Sequence, residues 1–218
     1  MTGTADKTQT NKAGGDKDGR KPRADAIRNR EMVLASAKSV FNAGGPEASL
    51  EAVARQAGVG IGTLYRHFPT REALFEAVYR REVEQLVELA DTLHSNASPV
   101  EALRLWMRAN IEFIATKKGM SAALALAAHM STKLSAYSLD RLTGALDGLL
   151  RRGAEAGEIR GDIGAEDVLR TLVGLSYTHD KPGWQANVLR LVDVFIDGLR
   201  AGQHRRVRPD EGRPDAGK

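Results

Sequence analysis

The sequence predicts an all-α fold of about nine helices. Three observations lead there. Apolar residues recur at three- and four-residue intervals across most of residues 24–199, the period of a helix with one buried face. No stretch alternates apolar and polar residues as a half-buried strand does, and no internal repeat appears. Glycine, proline and small polar residues interrupt the pattern at spacings that suit helices rather than hairpins.

The first helix is expected over 24–43. Ile27, Val33, Leu34, Ala37, Val40 and Phe41 form its apolar face, and Gly44-Gly45-Pro46 ends it. Arg28 and Arg30 are either solvated or within reach of a phosphate. In the second helix Leu50, Val53, Ala54 and Ala57 fall at i, i+3, i+4 and i+7. Ser49 stands at its N-cap, and Gly58 supplies the left-handed residue that stops it. Val59 is placed to plug the angle before a third helix, which opens near Gly60 or Ile61 and runs to Phe68, where Pro69 ends it. Two short helices joined by a glycine-containing turn form the helix-turn-helix pattern.

The third helix carries the chemistry. At about 100° per residue, Leu64 and Phe68 share the core side with Ile61 as the origin. Gly62, Thr63 and Arg66 lie opposite, flanked by Tyr65 and His67. A glycine, a hydroxyl, a guanidinium, a phenol and an imidazole are groups that approach phosphates or read base edges. Gly62 is costly inside a helix and suits close approach by another backbone. These residues alone leave two readings open, a DNA-reading helix and a plain hairpin with a solvated face.

The remaining helices follow in order. Thr70 caps a long helix to about 94, with Leu74, Phe75, Val78, Tyr79, Leu86 and Leu93 at helical spacing and Glu72 near its positive end. Residues 95–99 break the chain. A helix over 99–118 carries Val100, Leu103, Trp106, Met107, Ile111, Phe113 and Ile114, and Gly119 is expected to interrupt it. A short apolar helix over 120–130 and a longer one over 132–156 come next. The last two, 167–177 and 186–199, are strongly apolar, and the final one is apolar around most of its circumference. One neighbour does not cover such a helix, so it is either central to the core or shared with a second chain. Gly174 and Gly198 permit close helix approach.

Residues 25–75 resemble the N-terminal domain of the TetR family of bacterial repressors. The matching run is Leu50-Glu51-Ala52-Val53-Ala54-Arg55-Gln56-Ala57-Gly58-Val59, then Gly62-Thr63-Leu64-Tyr65-Arg66-His67-Phe68, then Arg71-Glu72-Ala73-Leu74. The resemblance covers about a quarter of the chain; beyond it, agreement is in length and helical character. It implies an N-terminal three-helix DNA-binding domain and a C-terminal helical ligand-binding and dimerisation domain. It also implies that the helix from Thr70 carries the ligand signal, that Arg71 faces a phosphate, and that the final two helices, within residues 165–200, pair two copies. The function expected is a dimeric repressor on a partly palindromic double-stranded DNA operator, released by a small-molecule effector of unknown identity. Gly62, Thr63 and Arg66 are expected at base edges, Ile61 against a thymine methyl, and Ser49, Tyr65, His67 and Arg71 on phosphates.

Composition sets the limits. The 218 residues carry a net charge of +4 and no cysteine, so there is no disulfide framework, thiolate nucleophile or cysteine metal site. No apolar run reaches membrane-spanning length, and a cytoplasmic protein without membrane contact is expected. Between Asp25 and Arg71 there are six basic and four acidic residues. The domains expected are a disordered basic arm over 1–24, the DNA-binding domain over 25–72, the helical domain over 73–202 and a disordered tail over 203–218. Arg20, Lys21 and Arg23 of the arm are nearest to DNA; the arm is either a solubilising extension or a source of phosphate or minor-groove contacts.

Effector-pocket candidates are residues with bulk and a polar handle: Trp106, Asn110, His129, Tyr137, Tyr177, His179 and Trp184. Met107, Phe113, Met120, Leu124 and Met130 are candidate apolar walls. Each is otherwise an ordinary core residue. An enzyme is not expected. No two histidines stand at i, i+3 or i+4, and no phosphate-cradling loop, H-E-x-x-H or G-x-S-x-G occurs. No cofactor or metal is expected. The alternative to a regulator is a helical adaptor or small-molecule-binding protein that has no operator. An adaptor has no need of the phosphate-binding groups on the Gly62–His67 face.

Overall fold

The computed structural model describes residues 20–44, 48–125, 128–178 and 183–200, without the side chains of 20–24, 44, 119 and 121–131. Most of the expected arm and all of the expected tail lie outside them. The described residues form eight helices: α1 (Arg20–Gly44), α2 (Leu50–Gln56), α3 (Ile61–His67), α4 (Arg71–Asn96), α5 (Pro99–Ala125), α6 (Ala128–Glu155), α7 (Ala165–Tyr177) and α8 (Trp184–Leu199).

Two expectations about the elements are corrected. Gly119 does not end a helix: α5 runs through it to Ala125, and the expected helices at 120–130 and 132–156 become the end of α5 and the whole of α6. An interior glycine costs about 1 kcal/mol relative to alanine, and burying the following Met120 outweighs it. Ile27 is not on the buried face. It is 59% exposed: although in helical register with Leu34 and Phe41, it lies in a stretch, residues 25–28, that no described residue covers.

Helices α1–α3 form a compact unit around Val33, Leu34, Phe41, Val53, Leu64 and Phe68. Helix α4 leaves this unit and packs along α5 and α6, while α5 also meets α8, and α6 meets α7. Trp106 sits fully buried on the α4–α5 seam, its Nε1 donating to the Leu86 carbonyl at 2.9 Å. Trp106→Ala is expected to destabilise the fold by about 3–5 kcal/mol; urea unfolding measures it, and a loss under about 1 kcal/mol means the seam collapses to fill the gap. Arg104 and Arg108 of α5 clamp α8 through Asp193 at 2.6 and 2.7 Å.

The N-terminal unit is fastened to the rest through α1. The Phe41 and Phe75 rings lie 4.2 Å apart. Arg81 pairs with Glu31 at 2.9 Å, and Lys38 pairs with the buried Glu82. Asn42 donates to Thr116 of α5 at 3.3 Å. These contacts join the unit to the same two helices that run on into the C-terminal bundle.

The last two helices bury one face and leave another bare. Val168, Leu169 and Leu172 of α7 and Val188, Val192 and Ile196 of α8 are buried. Val173, Tyr177 and Leu191 are at least 40% exposed, and Val194 is 69% exposed. The apolar circumference read in the sequence is therefore split between a core face and an exposed stripe.

Candidate nucleic-acid interface and cavity

The turn between α2 and α3 is built locally. The Ser49 Oγ accepts from the Ala52 amide at 3.1 Å, so this hydroxyl is already engaged as a cap. Gly58 adopts φ +67°, and Val59 donates its amide to the Ala54 carbonyl at 3.0 Å, which closes the end of α2. Gly60 then caps α3 in an extended conformation. Thr70 caps α4 in the same manner as Ser49, its Oγ1 accepting from the Ala73 amide at 3.1 Å.

Helix α3 turns Leu64 and, just past its end, Phe68 into the core. The opposite face carries Gly62 and Arg66, both exposed, and Thr63, half-buried. Tyr65 is 44% exposed, and His67 is half-buried. Ile61 is exposed rather than part of the core side. A Cβ built on Gly62 meets no atom of the described residues within 4 Å. Nothing among the described residues therefore requires a glycine at that position. Arg71, half-buried at the start of α4, lies over the Phe41 and Phe75 rings at 5.7 and 5.2 Å. Arg30 lies over Phe68 at 5.4 Å, so this arginine braces the end of α3.

A cavity of about 420 Å³ opens between α5, α6 and α7. Of the sequence candidates, Asn110, Phe113 and Tyr177 line it. Trp106 and Met107 do not, being buried in the core, and neither does the buried Met120. Tyr137 faces elsewhere. Its hydroxyl donates to Glu84, its ring lies under Arg80 at 4.5 Å, and bonds from Arg141 and Tyr137 hold the Glu84 carboxyl below the usual range. The side chains of Leu124, His129 and Met130, and the whole of His179, lie outside the described residues.

The cavity has lining residues that sequence reasoning passed over. Lys117, Ser135, Ser138 and Arg170 supply polar groups, and Leu142 and Leu169 supply apolar wall. Ser138 is already satisfied: it accepts from the Tyr79 hydroxyl at 2.7 Å and donates to the Ser135 carbonyl. Burial raises the Tyr79 phenol above its ordinary pKa. Lys117 had a signal, since it follows Asn110 by seven residues on one helix face. Just outside the cavity, Lys118 places its ammonium 4.4 Å from the Trp184 ring and 5.4 Å from the Tyr177 ring.

Among the described residues, no three histidine, cysteine, aspartate or glutamate side chains are grouped to hold a metal ion. No described helix is long and apolar enough to cross a membrane.

Known proteins agree with this arrangement. Residues 33–78 match the family described as bacterial regulatory proteins, tetR family, and residues 98–201 match the C-terminal domain described as that of SbtR-like transcriptional regulators. The TetR transcriptional regulator SCO0520 from Streptomyces coelicolor is 43% identical, with a TM-score of 0.73 over 79% of this chain and 99% of that one. A TetR regulatory protein from Mycobacterium vanbaalenii is 34% identical, with a TM-score of 0.68 over 83% of this chain and 99% of that one. The HTH-type transcriptional regulator SAR0097 from Staphylococcus aureus is 33% identical over 84 residues, 37% of this chain and 44% of that protein. The chain thus spans under half the length of the curated relatives it matches. With both halves matched and a structural relative aligned over nearly its full length, the chain belongs to the TetR family of bacterial transcriptional regulators, built on a helix-turn-helix DNA-binding unit.

Proposed function

We propose that this regulator is a cytoplasmic homodimer that occupies a partly palindromic operator and is released from it by an effector bound in the C-terminal helices. The observation that carries the operator reading is the outer face of α3. Its polar groups stand on a helix fixed by Leu64 and Phe68, and Gly62 leaves open space that the fold itself does not use. Two such helices in successive major grooves lie about 35 Å apart, one turn of DNA. The exposed stripe on α7 and α8 supports pairing through residues 165–200.

On this reading Gly62, Thr63 and Arg66 approach base edges and Ile61 packs on a thymine methyl. Tyr65, His67 and Arg71 contact phosphates. Ser49 contributes its hydroxyl as a donor, since its lone pair already caps α2. The division of labour follows the contacts. Helices α1–α3 read DNA, and α4 links them to the effector-binding bundle. An effector acts only to the extent that it binds two conformations unequally.

Fluorescence anisotropy on the DNA flanking the gene, across a salt series with unrelated competitor, tests this reading. Binding that survives the competitor supports it. Binding that the competitor removes and that falls steeply with salt is only the electrostatic term. Tyr65→Phe, which removes one phosphate donor, is expected to weaken binding to all sequences alike. Arg66→Ala is expected also to relax base preference by about 1–3 kcal/mol at one position of each half-site. Equal losses for both variants on every sequence would sink that assignment.

A further inference from the structure

The chemistry of the cavity narrows what fills it, and this inference rests on the reading that the C-terminal helices bind an effector. Among the described residues the charged groups on its wall are Lys117 and Arg170, both cationic, and none of them is a carboxylate. Arg170 is already paired with Glu166 of its own helix at 3.0 Å. No described residue gives Lys117 such a partner. Among the described residues its one close contact with a charge-stabilising group is the face of Tyr79, with Nζ 5.7 Å from the ring centroid. Burial pushes this amine below the usual lysine range, with no counterion among the described residues to restore it.

Asn110 lies two turns earlier on the same face of α5, about 10 Å away along the helix at 1.5 Å per residue. It is 1% exposed, and its Nδ2 has no acceptor. Phe113 stands between Asn110 and Lys117 along α5, and Leu142 and Leu169 contribute apolar wall from α6 and α7. A desolvated cation without a counterion and a buried donor without an acceptor are each costly to maintain. Both lie on one cavity whose volume falls in the range for small organic ligands.

We propose that the cavity takes an organic carboxylate with an apolar body. The carboxylate pairs with Lys117, a carbonyl or hydroxyl oxygen near the far end accepts from Asn110 Nδ2, and the carbon skeleton between them lies against Phe113, Leu142 and Leu169. The site also touches the connector. Lys117 rests on Tyr79 of α4, and Phe113 stacks edge-on against the same ring at 5.2 Å. A carboxylate that draws Lys117 toward itself changes a contact on the helix that carries Phe75 and Arg71 at its DNA-proximal end.

Calorimetric titration of the full-length protein tests this with two probe acids, ω-hydroxydecanoate and a hydroxybiphenyl carboxylate. Each is compared with its methyl ester and with the amine that replaces the carboxylate. At least one acid is expected to bind, with its ester and amine weaker by about tenfold or more. Lys117→Met is expected to erase the preference for acid over ester while raising the melting temperature, because the uncompensated charge is gone. Asn110→Leu is expected to erase the preference of ω-hydroxydecanoate over plain decanoate. Esters or amines that bind as well as the acids, or an acid that binds Lys117→Met undiminished, overturn the proposal, as does failure of every acid to bind. Operator release, followed in parallel by anisotropy, separates the two levels. A neutral or cationic probe that binds and releases DNA removes the carboxylate and keeps the effector reading. An acid that binds through Lys117 without releasing DNA keeps the ligand class and removes the effector reading.

Discussion

If two copies pair through α7 and α8 as proposed, Val194→Glu is expected to leave the protein monomeric and to lower operator affinity by about three orders of magnitude or more, the gap between specific and non-specific binding. Val194 is 69% exposed on α8, one turn from Leu191, which is 40% exposed. An apolar stripe on two packed helices is self-complementary about a two-fold axis. A glutamate there takes an unpaired charge into the interface from each copy, and its desolvation adds to the loss of apolar burial. Each recognition helix then acts alone, and the second half-site no longer contributes. Sedimentation velocity with anisotropy reads both effects. A variant that still sediments as a dimer removes this face from the interface. Phe195→Glu is a poorer choice, because Phe195 packs against its own subunit's core and its replacement also destabilises the monomer.

Gly62→Leu is expected to lower operator affinity by about a hundredfold or more while leaving the melting temperature unchanged or higher. A Cβ at Gly62 meets none of the described residues within 4 Å, and leucine is favoured over glycine inside a helix by up to about 1 kcal/mol. The same side chain on a surface pressed into a DNA groove holds the backbone away and misplaces Thr63 and Arg66 together. Gly58→Leu supplies the contrast. Gly58 also has open space around it but sits at φ +67°, so a side chain there strains the turn by about 1–2 kcal/mol. Circular dichroism melts beside anisotropy distinguish the two glycines. A Gly62 variant that melts earlier and binds DNA normally would make Gly62 a structural residue.

The helix-turn-helix was legible because everything that builds it is local. Ser49 and Thr70 each bond an amide three residues on, and Gly58 turns the chain within one residue. The face assignment of α3 followed from angular spacing, apart from Ile61, which stands at the first position of α3 and is exposed. The cavity was legible only in part, for a physical reason. Its walls come from three helices distant in sequence, and a helical period says which face is apolar but not which neighbour covers it. Asn110 and Phe113 were singled out by character, yet Leu142 and Leu169 oppose them only because α6 and α7 pack beside α5. Trp106 had the same credentials as Asn110 and went to the α4–α5 seam, where the Leu86 carbonyl accepts its hydrogen bond. Gly119 misled because a glycine's helix-breaking tendency is smaller than the burial on either side of it.

The ammonium of Lys118 above the Trp184 ring gives the molecule an optical gauge of its own. The chain has two tryptophans. Trp106 is sealed in the interior, so a blue emission that responds less to the cavity mouth is expected of it. Trp184 is half-buried beneath a cation that also covers Tyr177, a residue of the cavity wall, and that cation adjoins Lys117 in α5. Motion of Tyr177 or of this stretch of α5 shifts the field at one indole more than at the other. Trp184→Phe leaves the less responsive signal and Trp106→Phe leaves the responsive one, so occupancy of the bundle is readable in the unlabelled protein by the colour of its light.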